Sequence, residues 1–263
     1  MTDMKPKSQQ NESPATPEKD AVVTANSERD IVIEIKNVSK SFPMGGGKFT
    51  ALKEINLDVF GGDFMGIVGP SGSGKTTLLN LIGALDSPTQ GSIRVLQDHV
   101  ESLKHRQASR FRRNTIGFIF QTFNLLPVYT VQENVEFPLL LTDMGSKERK
   151  DAVHESLDWV GLLGKKDSKP AQLSGGESQR VAVARAMVKK PKIVLADEPT
   201  ANLDAENSHN ILRMMVKLNK TLGTTFVFST HDQKVIDYLR RKITLIDGQI
   251  AKDEIVEPKF NGD

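Results

Sequence analysis

The sequence predicts an α/β fold built around a mainly parallel sheet, and two observations carry that reading. Three short apolar runs, FMGIV (64–68), KIVLA (192–196) and TTFVFS (224–229), are continuous rather than alternating and rich in β-branched or aromatic residues. Strands buried on both faces read this way. Each run ends in unusual polar chemistry: GPSGSGKTT after the first, DE after the second, THD after the third. In open α/β sheets ligands bind beyond the carboxyl ends of the strands, so three such ends converging define one site.

Composition sets limits. The 263 residues suffice for one large α/β domain or two small ones, and 38% hydrophobic with 26% charged residues is an ordinary globular balance. A formal net charge of +2 is too small to argue for a nucleic-acid partner on bulk electrostatics. Cysteine is absent, which excludes disulfides, thiolate metal sites and cysteine nucleophiles and fits a reducing compartment. No apolar run approaches the ~20 residues of a membrane-spanning helix, and the N-terminus lacks an apolar h-region. The expectation is a soluble, cytoplasmic protein.

Along the chain, residues 1–30 are polar and rich in Pro, Ser, Lys and Glu, and are expected to form a disordered tail. Order begins at Ile31, Ile33 and Ile35, which alternate as on a half-buried strand. INLDVF is a second strand, turning at Gly61-Gly62 into FMGIVG, and such close turns imply a partly antiparallel sheet. Helices are expected over 103–113 and 147–160. The basic segment KHRQASRFRR (104–113) reads as a solvated helix face, with a lipid- or partner-facing role as the alternative. KITLIDGQIAK is a hairpin around Asp247-Gly248, and residues 256–263 are expected to fray.

LSGGESQR (173–180) begins a further helix, with Ser174 and Glu177 at capping-box spacing. That helix is expected to reach Lys189 and Lys190, cations suited to its C-terminal dipole, before Pro191 stops it. The cap leaves Gly175 and Gly176 unexplained, since glycine costs about 1 kcal/mol against alanine within a helix. Something must approach this helix start closely enough to need bare backbone.

Gly69-Pro70-Ser71-Gly72-Ser73-Gly74-Lys75-Thr76 matches G-x-x-x-x-G-K-[ST] between a strand and a helix that opens at Thr76-Thr77. Successive N–H groups of such a loop curl around phosphate, and the helix N-terminus adds partial positive charge. Lys75 is expected to bind the β- and γ-phosphates and the Thr76 hydroxyl to ligate Mg²⁺. Asp197 closes a buried strand and is placed to hold Mg²⁺ directly or through water. Glu198 is then free to orient or deprotonate the attacking water. His231, Gln121 and Asp204 are ordinary loop residues in isolation and gain weight only as a set.

That set resembles the ATP-binding-cassette ATPases over about residues 31–255. The phosphate loop, Gln121, LSGGESQR, IVLADEP, NLD and His231 stand in that family's order and approximate spacing. The resemblance implies a phosphate-loop NTPase core with a mainly parallel sheet, an N-terminal antiparallel β subdomain and an inserted α-helical subdomain at about 122–185. It implies two cassettes packed head to tail, with Ser174, Gly175 and Gly176, and Glu177 beside them, closing the nucleotide site of a partner chain. By the same resemblance Gln121 senses the γ-phosphate and Mg²⁺, Asp204 crosses the dimer interface, His231 contacts the γ-phosphate beside Glu198, and Phe42 stacks on adenine.

GALDSPTQGSI, FIFQTFNLLPVYTVQENVEFPLLL and ADEPTANLD look like the branch that contains lipoprotein-releasing, macrolide-export and cell-division cassettes. The resemblance then implies a homodimer on the inner face of the cell membrane, driving a separately encoded permease that docks near Phe123, Leu125, Leu126, Val128 and Tyr129 around Pro127. Packing of those side chains under the helical subdomain is the alternative for that loop. A regulatory cassette that signals without moving substrate is the alternative for the function. DNA-repair cassettes carry a long coiled-coil insertion between phosphate loop and signature, whereas only about 100 residues separate them here.

Overall fold

The computed structural model describes residues 30–260, so the expected disordered tail, but for Asp30, lies outside the described residues, as do residues 261–263. In chain order the described elements are strands β1 (Ile31–Met44), β2 (Gly47–Phe60) and β3 (Phe64–Val68), helix α1 (Lys75–Ile82), strands β4 (Gln90–Val95) and β5 (Asp98–His99), helix α2 (His105–Thr115) and strand β6 (Ile116–Ile119). Helices α3 (Val131–Glu136), α4 (Ser146–Trp159) and α5 (Gly175–Met187) follow without an intervening strand. Then come β7 (Ile193–Asp197), α6 (Ala205–Leu222), β8 (Thr225–Thr230), α7 (Gln233–Ile236), β9 (Arg241–Ile246) and β10 (Gln249–Ile255).

Two sheets form. One is antiparallel, in the order β2-β1-β4-β5; the other runs β10-β9-β3-β8-β7-β6. The pairs β3–β8, β3–β9, β7–β8 and β6–β7 are parallel, and only β10 returns antiparallel to β9. The three continuous apolar runs are therefore adjacent strands, with β8 between β3 and β7. Alternate residues of β8 serve two cores. Val227 joins Ile33, Ile67 and Leu81 in a cluster shared with the antiparallel sheet and α1. Phe226 and Phe228 join Val181, Met187 and Met215 in a cluster under α5 and α6. Phe64 of β3 packs there, with ring centroids 4.8 Å from Phe228 and 5.5 Å from Phe226. Burial on both faces explains why these strands read as unbroken apolar runs.

Three local expectations are corrected. The Gly61-Gly62 turn does not close a hairpin: β2 pairs with β1 while β3 enters the other sheet, so the turn carries the chain from one sheet to the other. Helix α5 ends at Met187, short of Lys189 and Lys190. Lys189 instead donates to the carbonyls of Arg112 (2.9 Å) and Arg113 (2.6 Å) at the end of α2, and Lys190 takes a left-handed φ of 48°. The chain end at 256–260 is held rather than frayed. Val256 N donates to Arg240 O, Lys259 Nζ lies 2.9 Å from Asp237 Oδ1, and the Phe260 ring is 5.2 Å from that of Tyr238. An aromatic near the terminus was the overlooked anchor.

Candidate active site

The phosphate loop runs from the end of β3 into α1. Gly69 and Gly74 both take positive φ, 156° and 103°, and a Cβ on Gly74 would stand 2.7 Å from Ala51 O. Gly74 is also the N-cap of α1, so the same glycine sets the turn and admits the neighbouring strand. Lys75 is buried and donates from Nζ to Gly69 O (2.9 Å) and Pro70 O (2.8 Å), which centres the ammonium in the loop. Pro70, Ser71, Gly72 and Thr76 are exposed, Thr77 is half-buried, and Ser73 is buried with an unpartnered hydroxyl.

Strand register brings the other groups to this loop. Val68 pairs with Thr230, and Asp197 with Ser229. Thr76 Oγ1 lies 3.1 Å from both Oδ1 and Oδ2 of Asp197. Adjacent oxygens on an octahedral Mg²⁺ with bonds of about 2.1 Å sit about 3 Å apart, so this pair fits two neighbouring ligand positions. No cluster of three or more His, Cys, Asp or Glu able to hold a metal occurs among the described residues. Mg²⁺ bound by one or two carboxylates plus substrate phosphates needs none.

Glu198 follows Asp197 with φ 45°, a left-handed conformation that costs a non-glycine residue about 1–3 kcal/mol. Its N–H donates to Ser229 O (2.8 Å), which anchors the bend to β8. Both carboxylate oxygens are engaged. Oε1 is 2.6 Å from His231 Nδ1, and Oε2 accepts from Thr230 Oγ1 at 3.0 Å. Thr230 escaped the sequence reading although it stands beside His231 in THD. So did Gln179, inside LSGGESQR: it is fully buried and donates from Nε2 to Pro199 O at 2.6 Å, tying α5 to the loop that carries Glu198.

The signature residues lie elsewhere. Ser174 caps α5, accepting from Glu177 N (3.2 Å), while its own N–H donates to Glu177 Oε2 (2.9 Å). The Lys165 ammonium, 2.8 Å away, is the main reason that the Glu177 carboxyl titrates below the usual range, with the Ser174 N–H adding to it. The two glycines differ. Gly176 is buried, and a Cβ there would stand 2.7 Å from Asn207 Cγ. Gly175 is exposed, and a Cβ would make ordinary contacts with Leu203, Asn202 and Phe123 from 3.6 Å outward. The fold of this chain thus accounts for Gly176 and leaves Gly175 open, and none of these neighbours is a phosphate-loop residue.

Asp204 caps α6: Oδ1 accepts from Asn207 N (2.8 Å) and Oδ2 from Asn207 Nδ2 (2.7 Å), bonds that hold its carboxyl below the usual range. Gln121 is exposed, and its carbonyl accepts from Asn202 Nδ2 (2.9 Å). Phe42 pairs with Phe49 across β1 and β2, with Lys40 Nζ 4.9 Å from its ring centroid.

After Gln121, the buried Asn134 pins the apolar loop: Oδ1 accepts from Leu126 N (2.7 Å) and Nδ2 donates to the carbonyls of Leu126, Tyr129 and Thr130. Leu125 packs on the core, whereas Val128 is 72% exposed. A cleft of about 380 Å³ opens next to this loop, with Phe118, Phe120, Asn124, Phe137 and Leu141 in its lining.

A phosphate cradle at a strand–helix junction, with two carboxylates at the end of another strand of the same parallel sheet, defines the class of phosphate-loop nucleotide-binding proteins. Within that class the ABC transporter family model matches residues 52–201. The ABC transporter ATP-binding protein MJ0796 of Methanocaldococcus jannaschii is 43% identical over 85% of this chain and 97% of its own. The lipoprotein-releasing system ATP-binding protein LolD of Pseudoalteromonas translucida is 43% identical over 86% and 97%. A solved dimeric structure of the MJ0796 cassette in a post-hydrolysis state, bound to ADP and Pi, superposes with a TM-score of 0.79 at 42% identity, covering 86% of this chain and 99% of that one. The chain belongs to the ABC transporter family, as one of its ATP-hydrolysing cassettes. No helix among the described residues is long and apolar enough to cross a membrane.

Proposed function

We propose that two copies of this chain pack head to tail, hydrolyse ATP at their shared interface and power a separately encoded permease of the lipoprotein-release or export type, from the cytoplasmic face of the membrane. The observation that carries the paired site is the contrast between Gly175 and Gly176. The exposed start of α5, with Ser174 and Gly175 free of the phosphate loop, is a helix N-terminus suited to an anion from outside the chain. The relatives' names support the rest: one belongs to a lipoprotein-releasing system, and the MJ0796 cassette is dimeric in its solved structure.

In this reading the phosphate loop, Gly69–Thr76 with Thr77 behind it, holds the β- and γ-phosphates, and Phe42 offers a ring face to adenine. Mg²⁺ supplies charge neutralisation for the phosphates, and Thr76, Asp197 and Gln121 are the residues to hold it. Glu198 takes the proton of the attacking water, and Thr230 and His231 fix its carboxylate. With Nδ1–H donated to Glu198, only the protonated His231 ring can also donate from Nε2 to a phosphate oxygen. Ser174, Gly175, Gly176 and Glu177 close the site of the other copy, and Asp204 lies at the same interface. Residues 31–255 form the cassette, with the helical subdomain at about 122–185. The permease docks beside the Phe123–Tyr129 loop, at the cleft.

Reconstitution with the permease tests the function. ATPase activity stimulated by the permease, together with movement of a lipoprotein or exported substrate, is the expected result. Stimulation without any substrate moved would assign the chain to the regulatory type instead.

A further inference from the structure

The last two residues of β8 carry hydroxyls, and they stand beside two carboxylates. Asp197 of β7 and Ile67 of β3 are both in register with Ser229, one on each side of β8. Side chains alternate between the two faces of a strand, and residues level with one another on neighbouring strands share a face. Val194, Ala196, Phe226 and Phe228 face the core under α5 and α6, and Thr230 continues their face to reach Glu198 Oε2 at 3.0 Å. Met65, Leu195 and Val227 form a level, wholly apolar row in the core shared with α1. The next row on that face is Ile67, Ser229 and Asp197, where the core gives way to the phosphate loop.

The Asp197 carboxylate shows where this face leads. It accepts from Thr76 Oγ1 at the start of α1, 3.1 Å from each oxygen. Thr76 has one proton for two carboxylate oxygens, so the second oxygen has room for another donor. Ser229 is fully buried, and its hydroxyl has no hydrogen-bond partner among the described residues. The other buried hydroxyls of β8 are engaged: Thr225 Oγ1 accepts from Gly62 N at 3.0 Å, and Thr230 donates to Glu198. A buried, unpaired hydroxyl is unfavourable, and an apolar residue like Val227 one row below would avoid that penalty. The Ser229 backbone already serves the site, since its carbonyl accepts from Glu198 N at 2.8 Å.

Resting on the proposed role of Asp197 at Mg²⁺, we infer that Ser229 is a positioning residue for that carboxylate. With nucleotide and Mg²⁺ bound, the Ser229 hydroxyl turns about χ1 and donates to the Asp197 oxygen that Thr76 does not take. Two donors on two oxygens fix the plane of the carboxylate, as groups behind a metal ligand commonly do. Ser229 then holds the carboxylate at the metal, and Thr230 holds that of the proposed base.

Small size alone would be met equally by alanine, so the hydroxyl is tested by removing it. The full chain is titrated with Mg²⁺ in the presence of a fluorescent, non-hydrolysable ATP analogue, and urea midpoints are taken without nucleotide. Ser229→Ala should be at least as stable as the parent, because it deletes an unpaired hydroxyl, and should bind the analogue equally well in EDTA. The Mg²⁺ concentration at half-saturation should rise about tenfold. Asp197→Asn should raise it too, and Ser229→Ala should then add less than about twofold in the Asp197→Asn background. A parental Mg²⁺ response in Ser229→Ala beside a weakened one in Asp197→Asn overturns the role of Ser229 and leaves Asp197 at the metal. An unchanged response in both overturns the metal reading of Asp197, and the inference with it. A full loss that persists on top of Asp197→Asn shows that Ser229 does not act through that carboxylate. A lower urea midpoint for Ser229→Ala, with affinity lost equally in EDTA and in Mg²⁺, makes the hydroxyl part of the fold and overturns the inference.

Discussion

Thr230 Oγ1 donates to Oε2 of Glu198 at 3.0 Å, the oxygen that His231 leaves free. The Glu198 carboxylate is held from both sides by two consecutive residues of one strand end. In the proposed reaction, with Glu198 as the base, this bond makes Thr230 a positioning residue. Thr230→Val should lower kcat about tenfold, roughly 1.4 kcal/mol of barrier, with little change in KM for ATP. Thr230→Ser should restore the rate. Because Thr230 Oγ1 also accepts from Asp232 N, the Val variant should lose about 1 kcal/mol of stability. A parallel fall in kcat for Val and Ser would mean that shape rather than the hydroxyl matters.

The two signature glycines should separate fold from partnership. Gly176→Ala drives a methyl into Asn207, whose amide also holds Asp204, so the isolated chain should be destabilised by about 1–3 kcal/mol. Gly175→Ala should leave the chemical denaturation midpoint of the isolated chain within about 0.5 kcal/mol of the parent while abolishing cooperative ATPase. Equal destabilisation by both would remove the case for an outside ligand at Gly175.

Mixing experiments test where the signature acts. A Lys75→Ala chain and a Gly175→Asp chain should each be inactive alone. Mixed, they form dimers in which one composite site carries both defects and the other carries neither, and some ATPase or ATP-dependent pairing should return. Loss of both in every mixture would place the signature in the same site as its own phosphate loop.

Lys189 gives a pH signature of stability. Burial, with Arg113 nearby, holds its folded pKa at about 8, below the ordinary 10.5, so between those values the unfolded chain binds more protons and stability rises with pH. The contribution is fully present above the unfolded value and lost as pH falls through about 8, and is at most roughly 3 kcal/mol. Urea midpoints of the parent minus those of Lys189→Met should therefore climb from pH 7.5 to pH 10. A flat difference would show that burial does not penalise this charge.

The sheet and the phosphate loop were legible because their signals are local: doubly buried strands are continuous apolar runs, and the loop needs its glycines in a row. Asp197, Glu198 and His231 were legible as strand ends. Thr230 and Gln179 were not, since a hydroxyl bonding the preceding strand's glutamate and an amide reaching Pro199 exist only after β7, β8 and α5 pack together. The end of α5 was misjudged for the same reason, because the carbonyls that recruit Lys189 come from α2, distant in sequence. The cleft is likewise assembled from segments that no window contains. KHRQASRFRR read as a solvated face, yet two of its arginines line that cleft.

A nucleotide-sandwiched pair should be trapped by Glu198→Gln in the presence of ATP and Mg²⁺. The substitution keeps shape and removes the proposed base, so hydrolysis should slow by roughly 10²–10⁴-fold and bound ATP should persist and hold two chains together. Light scattering behind size-exclusion chromatography should give twice the monomer mass for this variant with ATP, and the monomer mass without it or after Lys75→Ala. A variant that stays monomeric while ATP is demonstrably bound would rule out the head-to-tail pair.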